Sequence, residues 1–149
     1  MWPIKKAWYR TYQAVFRVLV CFLDWSEPER LEGPGAIKRL PALIQSKGVE
    51  KVLIVTDKGL MSLHLLDPLF EKLTEAGIQY TLYDGTQPNP TFDNIEDARS
   101  LYVENNCEAI IAFGGGSSMD CAKVAAARVV RPNCLLYTSP SPRDRQKSR

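Results

Sequence analysis

Residues 110–123 read IIAFGGGSSMDCAK, an apolar run that meets three glycines and then a helical pattern. With no side chains at Gly114, Gly115 and Gly116, a phosphate can approach the backbone, where exposed N–H groups and the helix dipole favour its negative charge. Ser117 and Ser118 can add hydroxyl donors. The stretch is neither of the two common phosphate loops. Met119 sits where the last glycine of G-x-G-x-x-G would fall, and G-K-[ST] is absent. Ser117 and Asp120 also fit a capping box, and Asp120 is expected to cap the helix because a carboxylate facing a pyrophosphate would repel it. Lys123, one turn on, is expected to pair with Asp120.

On either side of this loop, β-type runs alternate with helical patterns. Strands are expected at 52–55, 80–83 and 109–113, with helices at 60–76, 91–105 and 117–130. The strand starts recur every ~28 residues, room for a strand, a loop and a crossover helix. The pattern predicts an α/β fold with a doubly wound parallel sheet. Residues 30–35 are expected to add an edge strand before a helix at 36–47.

At 149 residues the chain has the size of one domain, and its 45% hydrophobic and 24% charged content is that of a globular protein. The segment 134–149 carries Arg143, Arg145, Lys147 and Arg149 against Asp144, a charge of +3, while the remainder holds 15 basic and 16 acidic residues. A body so balanced has no footprint for nucleic acid, which needs clustered Lys and Arg. The cysteines, Cys21, Cys107, Cys121 and Cys134, have no C-x-x-C spacing, and His64 is the single histidine. Reduced thiols in a cytoplasmic protein are therefore expected, with no zinc site and no disulfide framework.

Residues 1–29 read as an N-terminal helical extension. Trp8, Tyr12, Val15, Leu19 and Phe22 recur at helical spacing with Arg10, Gln13 and Arg17 between them, which predicts an amphipathic helix packed on the domain. The apolar run 18–23 is far shorter than the roughly 20 residues that span a bilayer. No membrane partner is expected. Residues 134–149, CLLYTSPSPRDRQKSR, lack apolar periodicity and hold a Ser-Pro-Ser-Pro run that neither propagates a helix nor fills a ladder. CLLYTSPSPRD resembles the conceptual translation of a transposon-derived sequencing adapter. The tail is expected to be foreign and unstructured.

FGGGSSMDCAK resembles the GGGS-x-x-D-x-A-K signature of the iron-containing alcohol dehydrogenases at every fixed position. EGPGAIKRLP (32–41), KVLIVTDKGL (51–60) and PNPT (88–91) stand in the order and approximate spacing of that family, so the resemblance spans residues 8–133. It implies a Rossmann-like dinucleotide-binding domain at 30–133. Asp57, directly after a strand, matches the acid beside the adenosine ribose, where a carboxylate accepts from hydroxyls and repels a 2′-phosphate, so NAD is expected rather than NADP. Asn89 in PNPT matches a cofactor-side asparagine, and 114–118 match the pyrophosphate loop. By themselves, Thr-Asp-Lys-Gly is an ordinary turn and Pro-Asn-Pro a stiff loop.

In the family, a second, helical domain supplies an aspartate and histidines that bind a divalent metal, iron or zinc, and the metal polarises the alcohol oxygen. No catalytic or metal-ligating residue of that kind is matched here, and His64, in a helical pattern, is expected to be structural. The resemblance therefore implies part of an NAD- and metal-dependent dehydrogenase for a small alcohol or aldehyde, cut off before its metal domain and inactive alone. An exposed inter-domain face would leave homo-oligomer formation open. Glycerol dehydrogenase or dehydroquinate synthase relatives, and a stand-alone nucleotide-binding module, are the alternatives.

Overall fold

The computed structural model describes residues 2–21 and 28–132. The expectation for the tail falls outside these residues. The chain divides into two compact units, one ending at Arg30 and one beginning at Leu31. The first unit holds α1 (Trp2–Val20), an amphipathic helix as expected. Within this unit Trp8, Tyr12, Val15 and Leu19 form an exposed apolar stripe.

In the second unit, a 3-10 turn (Ala36–Arg39) leads into α2 (Leu40–Ser46), followed by β1 (Lys51–Val55), α3 (Lys58–Ser62), α4 (Asp67–Glu75) and β2 (Gln79–Tyr83). Next come α5 (Phe92–Glu104), β3 (Ala109–Ala112) and α6 (Gly116–Val130). The strands form one parallel sheet in the order β2-β1-β3, with Val52 level with both Tyr80 and Ala109. β1 is central, so both its faces must be covered, and its Val- and Leu-rich run is continuous rather than alternating. Val52, Leu53, Ile54 and Val55 are fully buried.

Successive side chains of β1 serve opposite faces. Leu53 and Val55 join Ala98 of α5 and Cys121, Ala122 and Ala125 of α6 in one cluster. Val52 and Ile54 join Ile44 of α2 and Leu69 and Leu73 of α4 in the other. Helices cover both faces, as a doubly wound sheet requires. The small buried residues of α6 let that helix lie close to β1 and α5. Thr91 starts α5 with a reciprocal capping box to Asn94, two satisfied donors that set its first turn.

Three local expectations are corrected. Residues 30–35 form no strand; Gly33 and Gly35 both take positive φ, and the segment bends directly into the 3-10 turn. The helix expected at 60–76 is two helices, broken where His64 takes a φ of 55° and Pro68 opens α4 in its first turn. His64 thus lies in a turn rather than a helix, exposed, with Nδ1 3.0 Å from Asp67 Oδ2. The third correction concerns the start of α6 and bears on the site.

Candidate dinucleotide-binding cleft

The loops that follow the three strands meet at the carboxyl end of the sheet. Asp57, Lys58 and Gly59 after β1, Asp84 to Pro88 after β2, and Gly115 to Ser118 after β3 line a cleft of about 510 Å³. In open α/β sheets this end, beside the strand where the chain reverses its direction of winding, is where ligands bind. Here β1 is that strand, with β2 added on one side and β3 on the other.

Ser117 does not cap α6. The N-cap is Gly115, no side chain caps the helix, and the capping box with Asp120 does not form. Met119 N–H already reaches Gly115 O at 3.2 Å, so the helix begins about half a turn earlier than the sequence suggests. The strand's exit dictates this, because Phe113 N–H is still bound to Val55 O at 2.9 Å and the three glycines allow an immediate turn. Asp120 and Lys123 are exposed and form no ion pair with each other. The first N–H groups of a helix have no partner within it. With no side chain to take them, those at the start of α6 are available to an anion in the cleft.

The three glycines differ in role. Gly114 has φ +135°, and a Cβ there would stand 2.7 Å from Leu60 Cδ1 and 2.9 Å from Ser118 Oγ. Only glycine fits. A Cβ at Gly115 or Gly116 would meet nothing within 4 Å, so these two positions border open space in the cleft. Ser117 is half-buried and Ser118 buried, both lining the cleft.

Asp57 is the N-cap of α3, its Oδ1 accepting from Leu60 N–H at 3.0 Å, and its backbone forms an isolated bridge with Gly85. Thr-Asp-Lys-Gly is thus the capped start of a short helix rather than an ordinary turn, and the cap is compatible with a place at the cleft. Asn89 is exposed with φ 56°, a conformation asparagine tolerates better than most residues, and it is not among the lining residues.

Residues not singled out by the sequence complete the floor. Thr86 lines the cleft yet is buried, and its Oγ1 has no oxygen or nitrogen partner, only the weakly bonding Cys121 thiol beside it. The signal available was the YDGTQ run directly after β2, a turn at the same strand end as the glycine loop. Burial pushes the Tyr83 hydroxyl and the Cys121 thiol above their ordinary ranges, so both stay protonated at neutral pH. Cys121 fills the core and is no nucleophile. Cys21, Cys107 and Cys121 are free thiols.

The profile of the iron-containing alcohol dehydrogenases matches residues 28–148. The chain belongs to this family. The match includes most of the tail that the sequence sets apart. A choline dehydrogenase of Bacillus subtilis is 38% identical over 104 residues, 70% of this chain and 26% of that protein. A 1,3-propanediol dehydrogenase of Klebsiella pneumoniae is 39% identical over 93 residues, 61% of this chain and 24% of that protein. Among solved structures, the NADH-dependent butanol dehydrogenase A of Thermotoga maritima superposes with a TM-score of 0.65 at 28% identity, covering 70% of this chain and 27% of that one. The chain thus spans about a quarter of the length of the relatives it matches.

Family membership implies two groups, a dinucleotide and a metal. The open backbone at Gly115 and Gly116 and the uncapped helix fit a polar, phosphate-bearing ligand. A metal finds no fit. Among the described residues there is no group of three or more His, Cys, Asp or Glu that could hold one.

Proposed function

We propose that the cleft holds the pyrophosphate and adenosine ribose of NAD, and that this chain is the cofactor-binding part of a metal-dependent dehydrogenase for small alcohols or aldehydes. The observation that carries the reading is the α6 N-terminus, uncapped and opening through two glycines into a cleft shared with Asp57. The names of the relatives support an alcohol or aldehyde as substrate.

The chain's residues would then divide the work. Gly114 turns the backbone without a side chain, and Gly115 and Gly116 leave room for the phosphates against the first N–H groups of α6. Ser117 and Ser118 lie where hydroxyls can donate to phosphate oxygens. Asp57, held at the lip by Leu60 N–H, keeps Oδ2 for a ribose hydroxyl and repels a 2′-phosphate, so NAD is preferred to NADP. Asn89, just past Pro88, borders the same loop and would reach the cofactor from the β2 side. Bound NAD would supply the hydride acceptor, and among the described residues no cluster could hold a metal.

The test is calorimetric titration of NAD into the 149-residue chain and two variants. Gly115→Asp places a carboxylate where phosphate should sit, in space where a Cβ meets nothing. Its melting temperature should stay close to wild type while NAD binding falls at least about tenfold by charge repulsion. Asp57→Ala should weaken NAD and narrow its advantage over NADP. Unchanged NAD binding by Gly115→Asp would refute the reading.

A further inference from the structure

α1 has an unexplained surface of its own. Trp8, Tyr12, Val15 and Leu19 recur at spacings of four, three and four, and Lys6, Arg10, Gln13 and Arg17 recur at the same spacings two residues earlier. At 3.6 residues per turn, a two-residue offset is a rotation of about 200°, so the two stripes run along opposite sides of the helix. The apolar side is aromatic and ordered along its length: Trp8 stacks on Tyr12 with ring centroids 6.1 Å apart, and Tyr12 on Phe16 at 6.2 Å. Trp8, Tyr12, Val15, Phe16 and Leu19 are 54–67% exposed. Over all its 19 residues the helix carries Lys5, Lys6, Arg10 and Arg17 and not one acidic side chain.

We infer that α1 lies in the headgroup region of an anionic bilayer, apolar side down and cationic side toward the phosphates and water. Three properties together select this occupant over a protein groove. A cationic helix with no acid is complementary to anionic lipid, each basic residue near such a surface strengthening binding about fivefold. Trp and Tyr, with apolar bodies and polar tips, prefer the depth between acyl chains and water. Four charges forbid spanning, and no described helix is long and apolar enough to cross a membrane, so the helix lies on the surface instead. This departs from the expectation of no membrane partner.

The experiment is co-sedimentation of the 149-residue chain with phosphatidylcholine vesicles, with and without phosphatidylglycerol, together with analytical ultracentrifugation of the chain alone. Binding is expected to the anionic vesicles and to fall strongly at 1 M salt, where the screening length drops to about 3 Å. Val15→Glu with Leu19→Glu should abolish it, and Arg10→Gln with Arg17→Gln should weaken it about 30-fold. Far-ultraviolet circular dichroism of each variant checks that the rest of the chain remains folded. Failure to sediment with either vesicle would overturn the inference. So would a dimer that Val15→Glu and Leu19→Glu dissolve, with no lipid binding, because a second copy would then be the occupant. None of these readouts depends on NAD, so failure here leaves the cofactor assignment standing.

Discussion

Gly114 is a position that the fold fully sets, and Thr86 one whose hydroxyl the fold leaves weakly bonded. At Gly114 both the backbone angle and the room for a side chain exclude any other residue. Gly114→Ala should cost about 2–3 kcal/mol, read as a lower urea midpoint, because strained φ and a Cβ against Leu60 add. Thr86 presents the reverse situation, a buried hydroxyl with no oxygen or nitrogen partner and only the Cys121 thiol, a weak hydrogen-bonding group, beside it, which costs stability unless a ligand completes it. Thr86→Val should therefore raise the thermal stability of the free chain by about 1 kcal/mol and weaken NAD binding. Equal or lower stability would show that the hydroxyl already has a partner. Gly114 was legible in the sequence because a glycine triplet after a strand announces backbone approach. Thr86 was not, since nothing local marks a threonine as buried or unpaired.

Among the elements, α5 and α6 are joined by more than apolar contact. Glu96 of α5 accepts from Arg128 Nε of α6 at 2.6 Å and from Arg99 at 3.3 Å, while Arg128 also lies 5.3 Å over the Phe92 ring. The hydrogen bond from Arg128, more than any other influence, holds the Glu96 carboxyl below its ordinary range. A group with a depressed folded value stabilises the fold above the ordinary carboxylate range, and that contribution is lost as pH falls through the folded value. The loss should be about 1 kcal/mol, since the pair is partly exposed. Urea midpoints of the wild type should fall with acid more steeply than those of Glu96→Gln; parallel curves would remove the clamp from the account.

For the whole molecule, the expectation is that the 149-residue chain does not oxidise small alcohols, even with iron or zinc added. The described residues offer no metal donor cluster. Loss of a positioned Lewis acid removes several kcal/mol of transition-state stabilisation, and each 1.36 kcal/mol is about tenfold in rate. NADH formation followed by absorbance, with NAD, metal and a series of short alcohols, tests this. Metal-dependent turnover by the purified chain would show that donors lie in residues outside those described. On the proposed reading the cleft takes only the phosphate and adenosine side of NAD, so NAD affinity should be weak.

The sequence by itself determined the class of the fold, the three strands to within a residue or two, and the glycine loop, because each depends on local periodicity and on backbone freedom within a few residues. It also determined the family, through ordered motifs. Tertiary structure decided what depends on residues far apart in the chain. Sheet order β2-β1-β3 brings Asp84–Pro88 beside Asp57 and Gly115, which are 30 residues or so on either side. The hydrogen bond from Phe113 to β1 moved the start of α6 and left its N-terminus uncapped, a feature that Ser117 and Asp120 suggested would be filled. A left-handed turn at His64 broke one expected helix in two. In each case a local preference worth a fraction of a kcal/mol gave way to strand pairing and core burial worth several.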